Sequence, residues 1–287
     1  MRTYLLICSL SILAGCTIVV AAPADGRYEW QSGSSERVVG NGQTSSELRA
    51  VEAGIHELEV SGPIEMDVQV GPAASLEVQA DSNLLPLIRS EMRGNTLKLY
   101  VNGSFRTEHA IRAKLTVPAL RSVSASGSGS VQVSGLKGGD FSMNSSGSRA
   151  LQLSGSVGRL VLGLHGSSRV NAQALDADSA QVGASGSSHV ALGRLHGEEL
   201  LVDISGSGSL RAMGDVRQLQ VSLSGAAHAD LTALRSQRAS LSTSGSSDIS
   251  AFVAQSVTAR TSGAGSIRVA GNPAQREVSG RGVSVTQ

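Results

Sequence analysis

Aromatic side chains make up only 2% of this 287-residue chain. That excludes an ordinary core anchored on Phe, Tyr and Trp. It also leaves no stripe of rings on which a polysaccharide could stack. Cysteine is nearly missing: Cys8 and Cys16 are the only two, both within the first twenty residues. A disulfide framework, a thiolate metal site and a cysteine nucleophile are therefore excluded from the rest of the chain. Charge is scarce as well, at 16% of residues with a formal net charge of +1. Nothing in that balance recruits nucleic acid or an anionic membrane surface. What remains is a chain that is 40% hydrophobic, with a core of Val, Leu, Ile and Ala, and unusually rich in glycine at 34 residues against 6 prolines.

The first residues, "MRTYLLICSLSILAGC", place Arg2 before an apolar run from Tyr4 to Ala14. This is the charge and length pattern of an export signal and is too short to span a bilayer comfortably. The run ends in Leu13-Ala14-Gly15-Cys16, which resembles a bacterial lipobox, with Cys16 as the lipidated residue. Thr17 after it favours the outer membrane by the same resemblance. Two other readings stand beside this one: cleavage after the "APA" at Ala22 to Ala24, giving a soluble periplasmic or secreted protein, and an uncleaved anchor from Tyr4 to Ala22.

Residues 25–46 are polar and rich in Gly and Ser, and read as a flexible tether. Residues 47–121 carry short alternating runs, "IHELEV", "IEMDVQV", "SLEVQA", "TLKLYV" and "AIRAKLTV", the period-two signature of half-buried strands. Between them, "DSNLLPLIRSEMRGN" is the one helix-like piece, shortened by Pro86.

From residue 122 to 287 the chain repeats. Glycines in Ser-Gly or His-Gly words fall at Gly127, Gly147, Gly166, Gly186, Gly206, Gly225, Gly245, Gly263 and Gly280, in steps of about twenty residues. The fourth residue after each glycine is apolar through eight units: Val131, Leu151, Val170, Val190, Leu210, Ala229, Ile249, Ile267. So is the sixth, from Val133 to Val269, while the fifth is polar in all but one unit. A second alternating pair follows, as in Leu160/Leu162 and Leu200/Val202. Two short strands and an inward corner per unit describe one coil of a parallel β-helix, each coil stacked on the next at about 4.8 Å. Right-handed crossovers dominate parallel sheets, so a right-handed all-β solenoid is expected, with the N-terminal strands as a cap. The repeat glycines are structural, and two roles fit them. Strand parity would put each inside a narrow part of the coil, or each takes positive φ at a bend.

These features resemble the DUF2807 family, the auto-transporter adhesin head GIN domain family. The resemblance rests on "IHELEVSGPIEMDVQVG", "LEVQADSNLLPLIRSEMRGNTLKLYV", "AKLTVPALRSVSASGSGSVQV" and the closing "TSGAGSIRVAGNPAQREVSGRGVSV", spanning about Arg49 to Val285. It implies a β-helical domain on an exported, often lipid-anchored protein of Gram-negative bacteria, and it implies little about activity.

No chemical constellation stands out. Asp140 and Glu199 share a register but have two coils between them, which does not give the paired carboxylates of glycoside hydrolysis. His189 and His228 share a register with Ser209 between them, about 10 Å apart by strand spacing, too far for one metal ion. No catalytic, cofactor-binding or metal residue is expected, and no cofactor. The expected function is a non-enzymatic envelope protein that binds an unknown surface ligand, glycan or protein. The alternatives are a polysaccharide-processing enzyme on the same scaffold and an envelope signalling accessory. Arg276, Glu277 and Arg281 in the last coil would blunt end-to-end stacking, so a monomer is expected.

Overall fold

A computed structural model describes residues 28–31, 37–52 and 54–286. The export signal, Cys16 and the Ala22 to Ala24 site lie outside the described residues. The chain is nearly all β and forms a solenoid of about 8 turns with about 20 residues per coil. Strands run through the corners as long bent ribbons, such as Phe141–Gly186, His189–Gly206, Ser209–Gly225, His228–Gly245 and Asp248–Gly263.

Parallel register aligns like residues from coil to coil. Val170, Val190, Leu210, Ala229, Ile249 and Ile267 pair in succession. Ala180, Leu200, Leu219, Ala239 and Val257 do the same on the second face, with Val182, Val202, Val221, Leu241 and Ala259 beside them. All of these are buried, and with the N-terminal strands they form one continuous hydrophobic core. No coil could bury its apolar columns alone; each is covered by its neighbours.

Coil length varies by a residue or two, and one corner absorbs the variation. Register breaks recur from about the sixth position through the corner that follows, at Val133/Leu136, Ala172/Ala177, Ala191/Arg194, Arg211/Gly214 and Leu231/Arg235, with further breaks at Ala177/Ala180 and Ser236/Arg238. The glycine corner keeps its register: Gly127 faces Gly147, and Gly186, Gly206, Gly225, Gly245 and Gly263 face one another in turn.

The N-terminal end departs from simple stacking. Glu57–Ser61 and Ile64–Val70, joined through Gly62, make a further coil under the first repeat. The next strands in sequence do not follow on top of it. Thr96–Val101 and Ile111–Val117 pair on its opposite side, so the 57–70 coil lies between a later coil and the first repeat. Antiparallel strands close that end: Ile88–Arg93 on Thr96–Val101, Ser75–Asp81 on Ile111–Val117, and Thr44–Arg49 on Ser75–Asp81. An antiparallel pair cannot continue a parallel stack, so the rod stops there.

Two sequence expectations change. The segment read as a tether is paired where it is described: Tyr28–Trp30 and Arg37–Val39 flank Ser104–Thr107, and Thr44–Arg49 is a sheet edge. Asn41 ties the same segment down, donating from its side chain to Ser82 Oγ and from its backbone to Asn83 Oδ1. Its Gly and Ser content suggested flexibility, but side-chain hydrogen bonds and strand pairing order it. The helix-like piece is a single 3₁₀ turn, Leu85–Leu87, followed by the strand Ile88–Arg93. Pro86 fits the first turn of a helix, and the strand beyond it pairs along its whole length with Thr96–Val101.

Candidate functional site

The glycine corner decides between the two roles left open by the sequence. All nine repeat glycines have positive φ, from 79° to 115°. Most are exposed, not interior as strand parity would place them. The bend lifts only the glycine itself out of the parity: the residues two before and two after it still face inward, as with Ala184 and Ser188 around Gly186. A side chain would point along the rod. From Gly147 to Gly263, an added Cβ would stand within 2.6 Å of the carbonyl oxygen of the preceding glycine. That carbonyl accepts a hydrogen bond from the residue after the next glycine, as in Ser187 N–H to Gly166 O and Ser207 N–H to Gly186 O, both 2.9 Å. Gly280 is different. The last coil's register places it beside Thr261, and its Cβ would meet the Thr261 carbonyl, not that of Gly263.

The corner carries polar columns on its outside. Ser185, Ser205, Ser224, Ser244 and Ser262 precede the glycines in one register. Three residues after the glycines run Arg169, His189, Ser209, His228, Asp248 and Ser266. His189 Nδ1 and Ser209 Oγ are 2.8 Å apart, so Ser209 separates the two histidines as its register requires. Asp248 Oδ1 accepts from the Ser266 hydroxyl at 2.5 Å and from the Ser266 backbone N–H at 3.0 Å. The Ser266 bonds hold the Asp248 carboxyl below its ordinary range against the opposing effect of partial burial, with Arg268 and His228 adding attraction. Among the described residues no group of three or more His, Cys, Asp or Glu is placed to hold a metal ion.

Two polar constellations have partners that the sequence reading did not identify, although Arg149 stands out there as the one bulky residue in its small interior column. Arg149 sits two residues after its glycine, in an interior column otherwise made of Gly, Ser and Ala, and is 3% exposed. Its guanidinium donates to the carbonyls of Ser126 at 2.5 Å, Gly62 at 2.8 Å and Ile64 at 3.4 Å. Burial lowers its pKa to about 10. Gly129 lies opposite Arg149 in the neighbouring coil and brings no side chain into the path.

The second is Asp81, 1% exposed at the N-terminal end. Its Oδ2 accepts from Thr107 Oγ1 at 2.6 Å, and its Oδ1 lies 2.8 Å from His109 Nδ1. Burial alone would raise its pKa. The bonds from Thr107, His109 and the Gly42 backbone together outweigh that and hold it lowered. Gly40 packs against this cluster, where a Cβ would collide with Asp81 Oδ2. The cluster joins residues 40, 81, 107 and 109, a spacing that follows no motif.

A solenoid of stacked coils with an antiparallel cap, bearing no convergent catalytic cluster among the described residues, defines a repetitive β-rod class of protein. The family model for the DUF2807 domain, described as "putative auto-transporter adhesin, head GIN domain", matches residues 55–194 and 172–273. The chain belongs to that family. Among solved structures it is similar to a protein described as a putative adhesin from Parabacteroides merdae, at 19% identity and TM-score 0.64, over 88% of this chain and 100% of that one. A putative adhesin from Parabacteroides distasonis gives 21% identity and TM-score 0.65, over 87% of this chain and 99% of that one. A protein from the same species described as a putative lipid binding protein gives 19% identity and TM-score 0.59, over 88% of this chain and 100% of that one. At these identities the likeness concerns the fold. No curated protein matches the chain.

Proposed function

We propose that this chain is a non-enzymatic, exported, adhesin-like protein whose solenoid serves as a stiff spacer and a lateral binding surface. The observation that supports this reading is how the side chains divide between inside and outside. The apolar columns are consumed by the core, and the outer polar columns run along the rod one residue per coil. Such a surface suits many weak contacts repeated along a partner, where catalysis needs groups converging on one point. Asp140 and Glu199 remain separated by two intervening coils, which supports binding over polysaccharide cleavage.

The role also depends on placement in the envelope, with Cys16 as the acylated residue. Palmitate-analogue labelling should mark the wild-type chain and not Cys16→Ser; no label on the wild type would leave a soluble exported form. The binding role is tested by immobilising the chain and screening envelope polymers, glycans and matrix proteins by surface plasmon resonance. Saturable binding to one of these is expected. Absence of binding to every surface component would overturn the adhesin-like reading.

A further inference from the structure

A cleft of about 620 Å³ opens where the N-terminal strands meet the first two coils. It lies at the corner that absorbs register changes, beside the connection from Ile111–Val117 into Ser122–Lys137. Its floor is aliphatic: Leu120, Leu136 and Val157 are buried and Val70 is half-buried. Arg121, Lys137 and Arg159 line it with a single acid, Asp140. Among the described residues these cations pair with no carboxylate; Arg159 instead donates to Gln181 Oε1 at 3.0 Å.

Three cations against one acid favour an anion, and an aliphatic floor favours hydrocarbon. The combination narrows the class. A sugar ring carries hydroxyls around its edge, and Ser142 is the one neutral polar side chain in the lining. Phe141 also lines the cleft but is 1% exposed and offers no ring face for stacking. A peptide would bring a backbone donor and acceptor per residue over Val and Leu, unpartnered. A single acidic group joined to a hydrocarbon chain leaves no such groups unmet. We propose that this cleft binds an anionic amphiphile, its carboxylate or phosphate held by Arg121, Lys137 and Arg159 and its hydrocarbon lying on Val70, Leu120 and Val157.

The test uses the full chain and a charge-reversed variant, Arg121→Glu with Lys137→Glu and Arg159→Glu. All three side chains are exposed, so circular dichroism melting should be unchanged. Isothermal titration with dodecanoate and with dodecyl phosphate should show binding weakened about tenfold or more in the variant, the scale of losing charge-assisted contacts. The apolar N-terminal run is common to both proteins and cancels in the comparison. Val70→Asn should also weaken binding, through the floor. Phosphatidylglycerol vesicles, compared with phosphatidylcholine vesicles, separate the sources. Charge-dependent cosedimentation identifies a bilayer headgroup, and binding of dodecanoate alone identifies a free fatty acid. Equal affinity in the charge-reversed variant would overturn the proposal. So would neutral dodecyl maltoside binding as tightly as dodecanoate, or inorganic phosphate binding as tightly as dodecyl phosphate. None of these outcomes bears on the adhesin-like reading, which concerns the rod's lateral faces.

Discussion

The guanidinium of Arg149 donates to the carbonyl of Gly62 at 2.8 Å, across 87 residues of sequence. The bond passes over Gly129 and joins the second repeat to the 57–70 coil, two coils away. Arg149 is therefore a staple between the repeats and the cap, placed where the coils stop following the chain order.

That staple yields the first prediction. Arg149→Met keeps much of the aliphatic stem and removes the donors; the Ser126 carbonyl keeps the Gly62 N–H at 3.1 Å, while the Gly62 and Ile64 carbonyls lose the guanidinium. Charged hydrogen bonds are worth about 1.5–3 kcal/mol each, and orphaned buried groups add to the cost. A loss of roughly 2–4 kcal/mol in urea unfolding is expected. Unchanged stability would show that the buried cation costs as much to desolvate as its bonds return.

The glycine corner makes a sharper prediction, because it contrasts two glycines in neighbouring coils. Gly206 has φ of 115°, and a Cβ there would collide with the Gly186 carbonyl. Gly206→Ala should cost about 2 kcal/mol or more, combining left-handed strain with displacement of a neighbouring backbone. Gly183 has no positive φ, and the nearest atom to its Cβ is Leu162 O at 3.9 Å. Gly183→Ala should be neutral or stabilising by about 0.5 kcal/mol, since it removes unfolded-state freedom. Equal effects from the two substitutions would contradict the assignment of the Ser-Gly words to corners.

Those words show what the sequence carried. The apolar columns from Val131 to Ile267 were legible because every coil repeats the same environment, so one rule is written eight times over. Gly62 belongs to the same corner: Gly127 stacks on it, and Met66 and Val68 occupy its fourth and sixth positions. It went unread because residues 71–121 separate it from Gly127 and break the period. Counting by twos holds on both sides of each corner, with Ala184, Ser188 and Val190 all facing inward, and only the glycine departs from it: of the two roles left open, it takes the positive-φ bend and for the most part lies exposed at the bend's outside. Arg149 and Asp81 depend on partners 87 and 26 residues away, which no local pattern encodes.

Asp81 gives a pH prediction. Its folded pKa is held below the ordinary carboxylate value by Thr107, His109 and Gly42 acting together against burial. A depressed carboxyl pKa means stability present above the unfolded value and lost as pH falls through the folded one. Asp81→Asn should therefore be less stable than wild type at pH 6, by about 1–3 kcal/mol for a buried acceptor that is no longer charged. The difference should begin to shrink below about pH 4, where the unfolded chain's carboxyl takes up its proton, and go on shrinking as pH falls through the lower folded value. Urea unfolding at pH 6, 4 and 3 reads this directly, and a difference that stays constant across the series would rule out the charge as the source.

The in-register corner predicts that whole coils can be removed. Gly206 and Gly225 occupy equivalent positions, facing each other and, in turn, Gly186 and Gly245. Deleting residues 207–225 joins Gly206 to Ala226 and takes out one complete period of each column. Val190, on the fourth-position column, then covers Ala229 in place of Leu210, and Leu200, on the second face, covers Ala239 in place of Leu219. In a stack governed by nearest neighbours, this removes one coil and one interface and leaves the others whole. The shortened chain should keep its β circular dichroism and unfold cooperatively, with a lower midpoint. Deleting residues 207–216 instead removes half a period and sets apolar columns against polar ones, so that chain should not fold. A half-period deletion that folds as well as the full-period one would mean that register along the rod does not hold the solenoid together.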